Sequence, residues 1–274
     1  MVALSRLPVV IRFLFGAAML FLLSQNPPIL NAQTMTIPEG ATCDPKTGLC
    51  TPATLEGKTP TLKFDQETEV IYVGDPMCSW CWGISPALNR LQLTAAANGI
   101  GYRIVLGGLR PDNSEQWTPK FQEFLRHHWE DVSTRSGQPF NYDLLEAEHF
   151  QYNTEPSCRG VITARTIAPS LEARFFELTQ HRFYVLNEDP AKVEFYKPIC
   201  FEIGIDYAKF SALFDSEEMK RATHEDFQLN RQWGVRGYPT VIVRTGDKMQ
   251  IIATGFASFE DMWARVEQVV EESK

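Results

Sequence analysis

Asp75-Pro-Met-Cys-Ser-Trp-Cys-Trp-Gly83 is the stretch whose reading decides the fold. Before it stands Val70-Ile-Tyr-Val73, a short apolar, β-branched run that stops at the turn signal Gly74-Asp75-Pro76. After it, Leu88, Leu91, Ala95 and Ala96 recur with helical spacing as far as an Asn98-Gly99 stop. Tyr102-Arg-Ile-Val-Leu106 then reads as a second strand. The order is strand, cysteine turn, helix, strand, which is a βαβ unit with two cysteines at the head of its helix.

That position has a chemical use. Unpaired backbone N–H groups and the positive end of a helix favour a thiolate. A lowered thiol pKa would make Cys78 both nucleophile and good leaving group. Cys81, one turn later on the same face, is placed to attack a mixed disulfide and release its partner. Half of a structural zinc site has the same spacing, but it needs a second close Cys or His pair. Cys43 and Cys50 are too far apart for that, and His127 and His128 are adjacent rather than one turn apart. The five histidines, at 127, 128, 149, 181 and 224, form no metal-spaced or triad-like set, so no metal is expected. A purely structural disulfide across so short a loop would remove little unfolded-state entropy. Redox exchange is the reading that remains, and it requires no cofactor.

Outward from this unit, the segment from Thr118 to about Phe214 loses its strand-like runs. Phe121 to Trp129, Gly160 to Ile167 and Ala173 to Leu186 look helical. Ser216-Glu-Glu-Met219 opens a helix with an N-cap serine and acids in the first turn, running to about Trp233. Gly237-Tyr-Pro-Thr240 leads into the strand Val241-Ile-Val243, and a turn at Thr245-Gly-Asp-Lys248 returns as Ile251–Thr254. Ser258 caps a final amphipathic helix. The expected organisation is α/β, with residues 67–117 and 216–274 forming one domain around a helical insertion at 118–215.

The 274 residues are 44% apolar, ample for such a core, and carry a net charge of −8. No cluster of Lys and Arg is present, so nucleic acid is set aside as a partner. Arg6 and Arg12 precede an apolar run between Phe13 and Leu23, then Pro27-Pro28 and the small Ala32. This is the order of a secretory signal over residues 1–32, shorter than the ~20 residues of a spanning helix, with an uncleaved anchor as the alternative. Cleavage would remove both arginines and no acid, taking the charge from −8 to −10. The whole pattern is that of an exported chain and points to the periplasm. An oxidising compartment permits disulfides among Cys43, Cys50, Cys78, Cys81, Cys158 and Cys200. Residues 33–66 read as a flexible extension, in which the turn sequence Cys43-Asp-Pro-Lys-Thr-Gly-Leu-Cys50 suits a local disulfide loop or, alternatively, a mobile second redox pair. Cys158 and Cys200 are expected as buried, unbridged residues.

Several motifs together resemble a known family. They are Asp75–Gly83, Gly107-Gly-Leu-Arg110, Tyr152-Asn-Thr-Glu-Pro-Ser-Cys-Arg159, Ala222-Thr-His-Glu-Asp-Phe227, and Gly234-Val235 through Gly237-Tyr-Pro-Thr240. They are similar to the DsbA-like branch of the thioredoxin superfamily typified by FrnE, over roughly Val70 to Glu272. The resemblance implies a thioredoxin-like fold with a large helical insertion, and oxidation, reduction or isomerisation of disulfides in protein substrates. It implies Cys78 as the attacking thiol, Cys81 as the resolving thiol and Pro239 as a cis proline. Tyr238 would offer backbone to substrate, and a redox partner would recycle the cysteine pair. The dipeptide Ser79-Trp80 departs from the Pro-His of the strongly oxidising members, so oxidising power is not implied. Cys43 and Cys50 lie outside the matched part.

Two residues of the motif keep double readings. Asp75 either tunes or relays a proton to the cysteines or serves as an Asp-Pro turn former. Trp80 is either an apolar lip for substrate or core. Two other functions use the same thiols: soft-ligand copper handling, and small-molecule isomerase or glutathione-transferase chemistry, whose related branch lacks the second cysteine.

Overall fold

Val70 and Ile71 are adjacent in sequence and both fully buried. Successive strand residues point to opposite faces, so the strand that holds them is covered on both sides. The computed structural model describes residues 42–51, 67–112 and 116–273, all within one unit spanning 38–274. The expected signal segment, 1–32, lies outside the described residues.

The central strand, β3 (Thr68–Gly74), follows two short strands, β1 (Thr42–Asp44) and β2 (Leu49–Thr51). It leads through the cysteine turn into α1 (Ser79–Ala97) and then β4 (Gly101–Leu106). The helical segment holds α2 (Pro119–Ser136), α3 (Glu155–Ile167), α4 (Glu172–Tyr184), α5 (Lys197–Ile203) and α6 (Tyr207–Phe214). The chain closes with α7 (Glu217–Gln232), β5 (Thr240–Thr245), β6 (Lys248–Thr254) and α8 (Phe259–Glu272). Strand order is β4-β3-β5-β6. β3 pairs parallel with β4, as a helical crossover requires, and antiparallel with β5.

Local signals set the helix ends. Thr118 Oγ1 accepts from Phe121 N at 3.2 Å, Ser216 Oγ from Met219 N at 3.3 Å, and Ser258 Oγ from Asp261 N at 3.1 Å. α1 is less regular, because Pro86 lies inside it and cannot donate to Trp82 O. That carbonyl is satisfied instead by Gln138 Nε2 at 3.0 Å and Ser85 Oγ at 2.9 Å.

Two clusters of buried apolar residues result. The larger joins the sheet and α1 to α3, α4 and the later helices, with Val73, Leu91, Val161 and Phe175 among its members. The second is aromatic and ties Met77 and Trp82 of the cysteine turn to Phe121, Trp129, Phe183 and Tyr184 of the helical segment. Burying each such side chain contributes about 1.5–3 kcal/mol, so the cysteine turn is anchored from its helical side.

Residues 42–51, expected as part of an exposed extension, form a β-hairpin instead. Thr42–Asp44 pairs antiparallel with Leu49–Thr51, placing Cys43 opposite Cys50, and Gly48 turns at φ +70°. The expectation failed because the segment's stabilising partners are remote. Cys50 forms an isolated antiparallel bridge to Tyr238, about two thirds of the chain away.

Candidate active site

Cys78 is the N-cap of α1, with φ −89° and ψ 116°, and no acidic residue occupies the first turn of the helix. Its N–H donates to Asp75 O at 3.0 Å, and its carbonyl accepts from Trp82 N at 3.1 Å. Across from it the Tyr238–Pro239 peptide is cis, as the resemblance implies. Cys78 Sγ lies 3.8 Å from Tyr238 O, so the first cysteine faces the proline loop directly. Cys78 and Cys81 are both free and fully buried.

Burial reverses one expectation. The helix head predicts a lowered Cys78 thiol pKa, but burial pushes it well up, and the neighbouring Cys81 thiol adds to the rise. Removing water from a thiolate disfavours the charged form, and that is the largest cause of the rise. Trp80 follows the same logic. It is fully buried against Phe256 and the hairpin, so it lines a covered site rather than an open lip.

Asp75 takes the turn-forming role and a second one. Its Oδ1 accepts from Met77 N at 2.8 Å, closing the turn. Its Oδ2 accepts from Leu109 N at 2.7 Å and lies 3.4 Å from Cys158 Sγ. Full burial raises its pKa, against the lowering effect of the Leu109 and Met77 N–H groups.

The other motifs converge behind the pair. Tyr152 hydroxyl donates to Met77 O at 2.8 Å. Arg110 N donates to Thr154 Oγ1 at 3.0 Å, and Thr154 N returns a bond to Arg110 O at 3.1 Å. Tyr238 hydroxyl donates to Gly107 O and meets Asn230 Oδ1 at 3.1 Å. Asn230 Nδ2 in turn donates to Leu106 O at 2.9 Å, and Asp226 Oδ2 accepts from Leu106 N at 2.9 Å. Gly107 has no side chain because Tyr238's ring fills the place of its Cβ. The sequence alone marks Tyr152 only as the first residue of a motif, without a role, and does not mark Asn230. Their roles have no local signature, since each partner lies on a different element.

Cys158 and Cys200 are buried and free, as expected. Cys158 nonetheless belongs to the surroundings of the site through Asp75, which spacing alone did not indicate. Cys50 is disulfide-bonded and fully buried. Among the described residues no group of three or more His, Cys, Asp or Glu could hold a metal ion.

Comparison with known proteins agrees with this geometry. The model of the DSBA-like thioredoxin domain matches residues 69–266. A solved structure from Nitrosomonas europaea, described as a candidate protein disulfide isomerase, is 32% identical, with a TM-score of 0.70, over 76% of this chain and 99% of that one. The cytosolic disulfide reductase DsbM from Pseudomonas aeruginosa shares the fold, with 23% identity, a TM-score of 0.59, and 74% and 98% coverage. No curated protein matches the chain. The family match across most of its length places the chain in the DsbA-like thioredoxin-domain family, as a thiol–disulfide oxidoreductase.

Proposed function

We propose that the chain is an exported oxidoreductase that exchanges disulfides with protein substrates through Cys78 and Cys81. The observation that carries the peptide substrate is the edge at Tyr238. Its N–H and C=O already pair with an extended strand, that of Cys50, beside the Cys78 sulfur. Such an edge recognises backbone, which every unfolded polypeptide presents.

Against a substrate disulfide, the Cys78 thiolate attacks one sulfur and the other leaves as a thiolate. Cys81 then attacks Cys78 Sγ, closing the Cys78–Cys81 disulfide and freeing the reduced substrate. The reverse sequence oxidises a substrate dithiol. Direction follows from the pair's reduction potential relative to its surroundings. Export is supported by the charged, apolar, small-residue order of residues 1–32.

Insulin reduction and refolding of scrambled ribonuclease test the exchange. Cys78→Ser should abolish turnover, and Cys81→Ser should accumulate a mixed disulfide with substrate. Full turnover by Cys78→Ser would reject this assignment, and stoichiometric copper without turnover would favour metal handling. Residues 1–32 fused to alkaline phosphatase should yield periplasmic activity, and an inactive fusion would refute export.

A further inference from the structure

Tyr238 O is shared by two groups. Cys50 N donates to it at 2.5 Å, and Cys78 Sγ lies 3.8 Å from it. Tyr238 N donates back to Cys50 O, so the disulfide-bonded cysteine of the hairpin is itself the residue bridged to the proline loop. A free thiol of the redox pair and a bonded cysteine therefore meet at one peptide carbonyl.

The hairpin is fitted to this place by more than that bridge. Phe256 N donates to Thr47 O at 3.1 Å, and Arg135 Nη1 donates to Lys46 O at 2.7 Å. Gly48 packs where a Cβ would press on Phe256 and Trp80, and Gly237 where a Cβ would meet Cys50 O and Leu49. A disulfide serving only to close the hairpin would work equally well on a hairpin pointing into solvent. Here the bonded residue is buried against the exchange site.

We propose that the Cys43–Cys50 disulfide is a second redox centre, docked as an internal substrate and exchanging directly with Cys78. The assignment of Cys43 as partner rests on the backbone register, which sets it opposite Cys50, and on Cys78, Cys81, Cys158 and Cys200 being free. The inference rests on the reading of Cys78 as the attacking thiol. The Cys78 thiolate attacks Cys50 Sγ, the Cys43–Cys50 bond breaks, and Cys43 leaves as a thiolate that takes up a proton. Cys81, giving up its proton, attacks Cys78 Sγ and expels Cys50. Two electrons and two protons pass from the Cys78/Cys81 dithiol to the hairpin. An external disulfide such as oxidised glutathione returns the hairpin to its bonded state. While docked, the hairpin also holds the backbone edge that an external strand would use, so internal and external exchange alternate.

The test uses the full chain carrying Cys81→Ser, with N-ethylmaleimide present to capture any released Cys43. Mass spectrometry of a non-reducing tryptic digest should link the Cys50 and Cys78 peptides, with Cys43 alkylated. A closed Cys43–Cys50 bond beside an alkylated Cys78 would overturn the proposal. If the same variant still traps glutathione on Cys78 from oxidised glutathione, the assignment of Cys78 survives that failure; if it traps neither, both fall. The unsubstituted chain supplies a second measurement that does not depend on the variant's folding. Prepared with the hairpin bonded and Cys78/Cys81 reduced, it should develop the Cys78–Cys81 disulfide at a rate independent of protein concentration. A rate proportional to concentration, or no transfer, would also overturn it.

Discussion

The carboxylate of Asp75 joins Met77 to Leu109, accepting the first N–H at 2.8 Å and the second at 2.7 Å. One buried side chain thereby fixes the cysteine turn to the loop after β4, the loop whose Gly107 carries Tyr238.

Asp75→Asn turns one acceptor into a donor facing a buried N–H, and should cost about 1–3 kcal/mol in urea unfolding. The effect depends on pH in a defined sense. Burial raises the Asp75 pKa, so the folded state binds the proton more tightly than the unfolded state does. Wild-type stability is then fullest below the ordinary value of 3.8 and declines as pH climbs from there toward the raised value. The variant cannot ionise, so the stability difference between wild type and variant should shrink over that window. A constant difference would contradict the buried, raised carboxylate.

Docking of the hairpin and protonation of Cys78 should be coupled. Gly255 has φ +74°, and a Cβ there would overlap Thr47 O, so Gly255→Val should displace the hairpin. Solvent reaching Cys78 would lower its raised pKa. Alkylation by iodoacetamide at neutral pH should accelerate by about tenfold for each unit regained. Gly246→Val provides a control, since φ is +56° there but the surrounding space is open. Because the docked thiol favours its proton, docking should also weaken above the ordinary thiol value of about 8.5. An unchanged alkylation profile in Gly255→Val would separate the hairpin from the thiol.

Tyr238 and Asn230 should act as a unit. Tyr238→Phe removes the hydroxyl that reaches Gly107 O and Asn230 Oδ1, and should cost about 1–2 kcal/mol. Asn230→Ala also releases Leu106 O and should cost somewhat more. A double-mutant cycle in urea should give a coupling of about 1 kcal/mol. Strict additivity would mean that the two side chains hold the loop separately.

Gln138 compensates for Pro86. Gln138→Ala leaves Trp82 O with only Ser85 Oγ, and should destabilise by about 1 kcal/mol. Pro86→Ala restores a backbone N–H to the same carbonyl, so Gln138→Ala should cost less in that background. Equal costs in both backgrounds would show that the helical bond does not form.

Much of this protein was legible in its sequence because the signals are local. Spacing placed Cys78 and Cys81 at a helix head, hydroxyl caps marked the starts at Ser216 and Ser258, and apolar β-branched runs marked β3 and β4. Each depends on residues within a turn or two of one another. The tertiary structure decided the rest. The extension became a hairpin because Cys50 pairs with Tyr238, and Asp75 acquired a second role because Leu109 and Cys158 come to its Oδ2. The Cys78 thiol pKa rises where the helix head alone would lower it, since desolvation depends on what covers the sulfur. Cover is supplied by segments distant in the chain, and no local pattern around Cys78 encodes it.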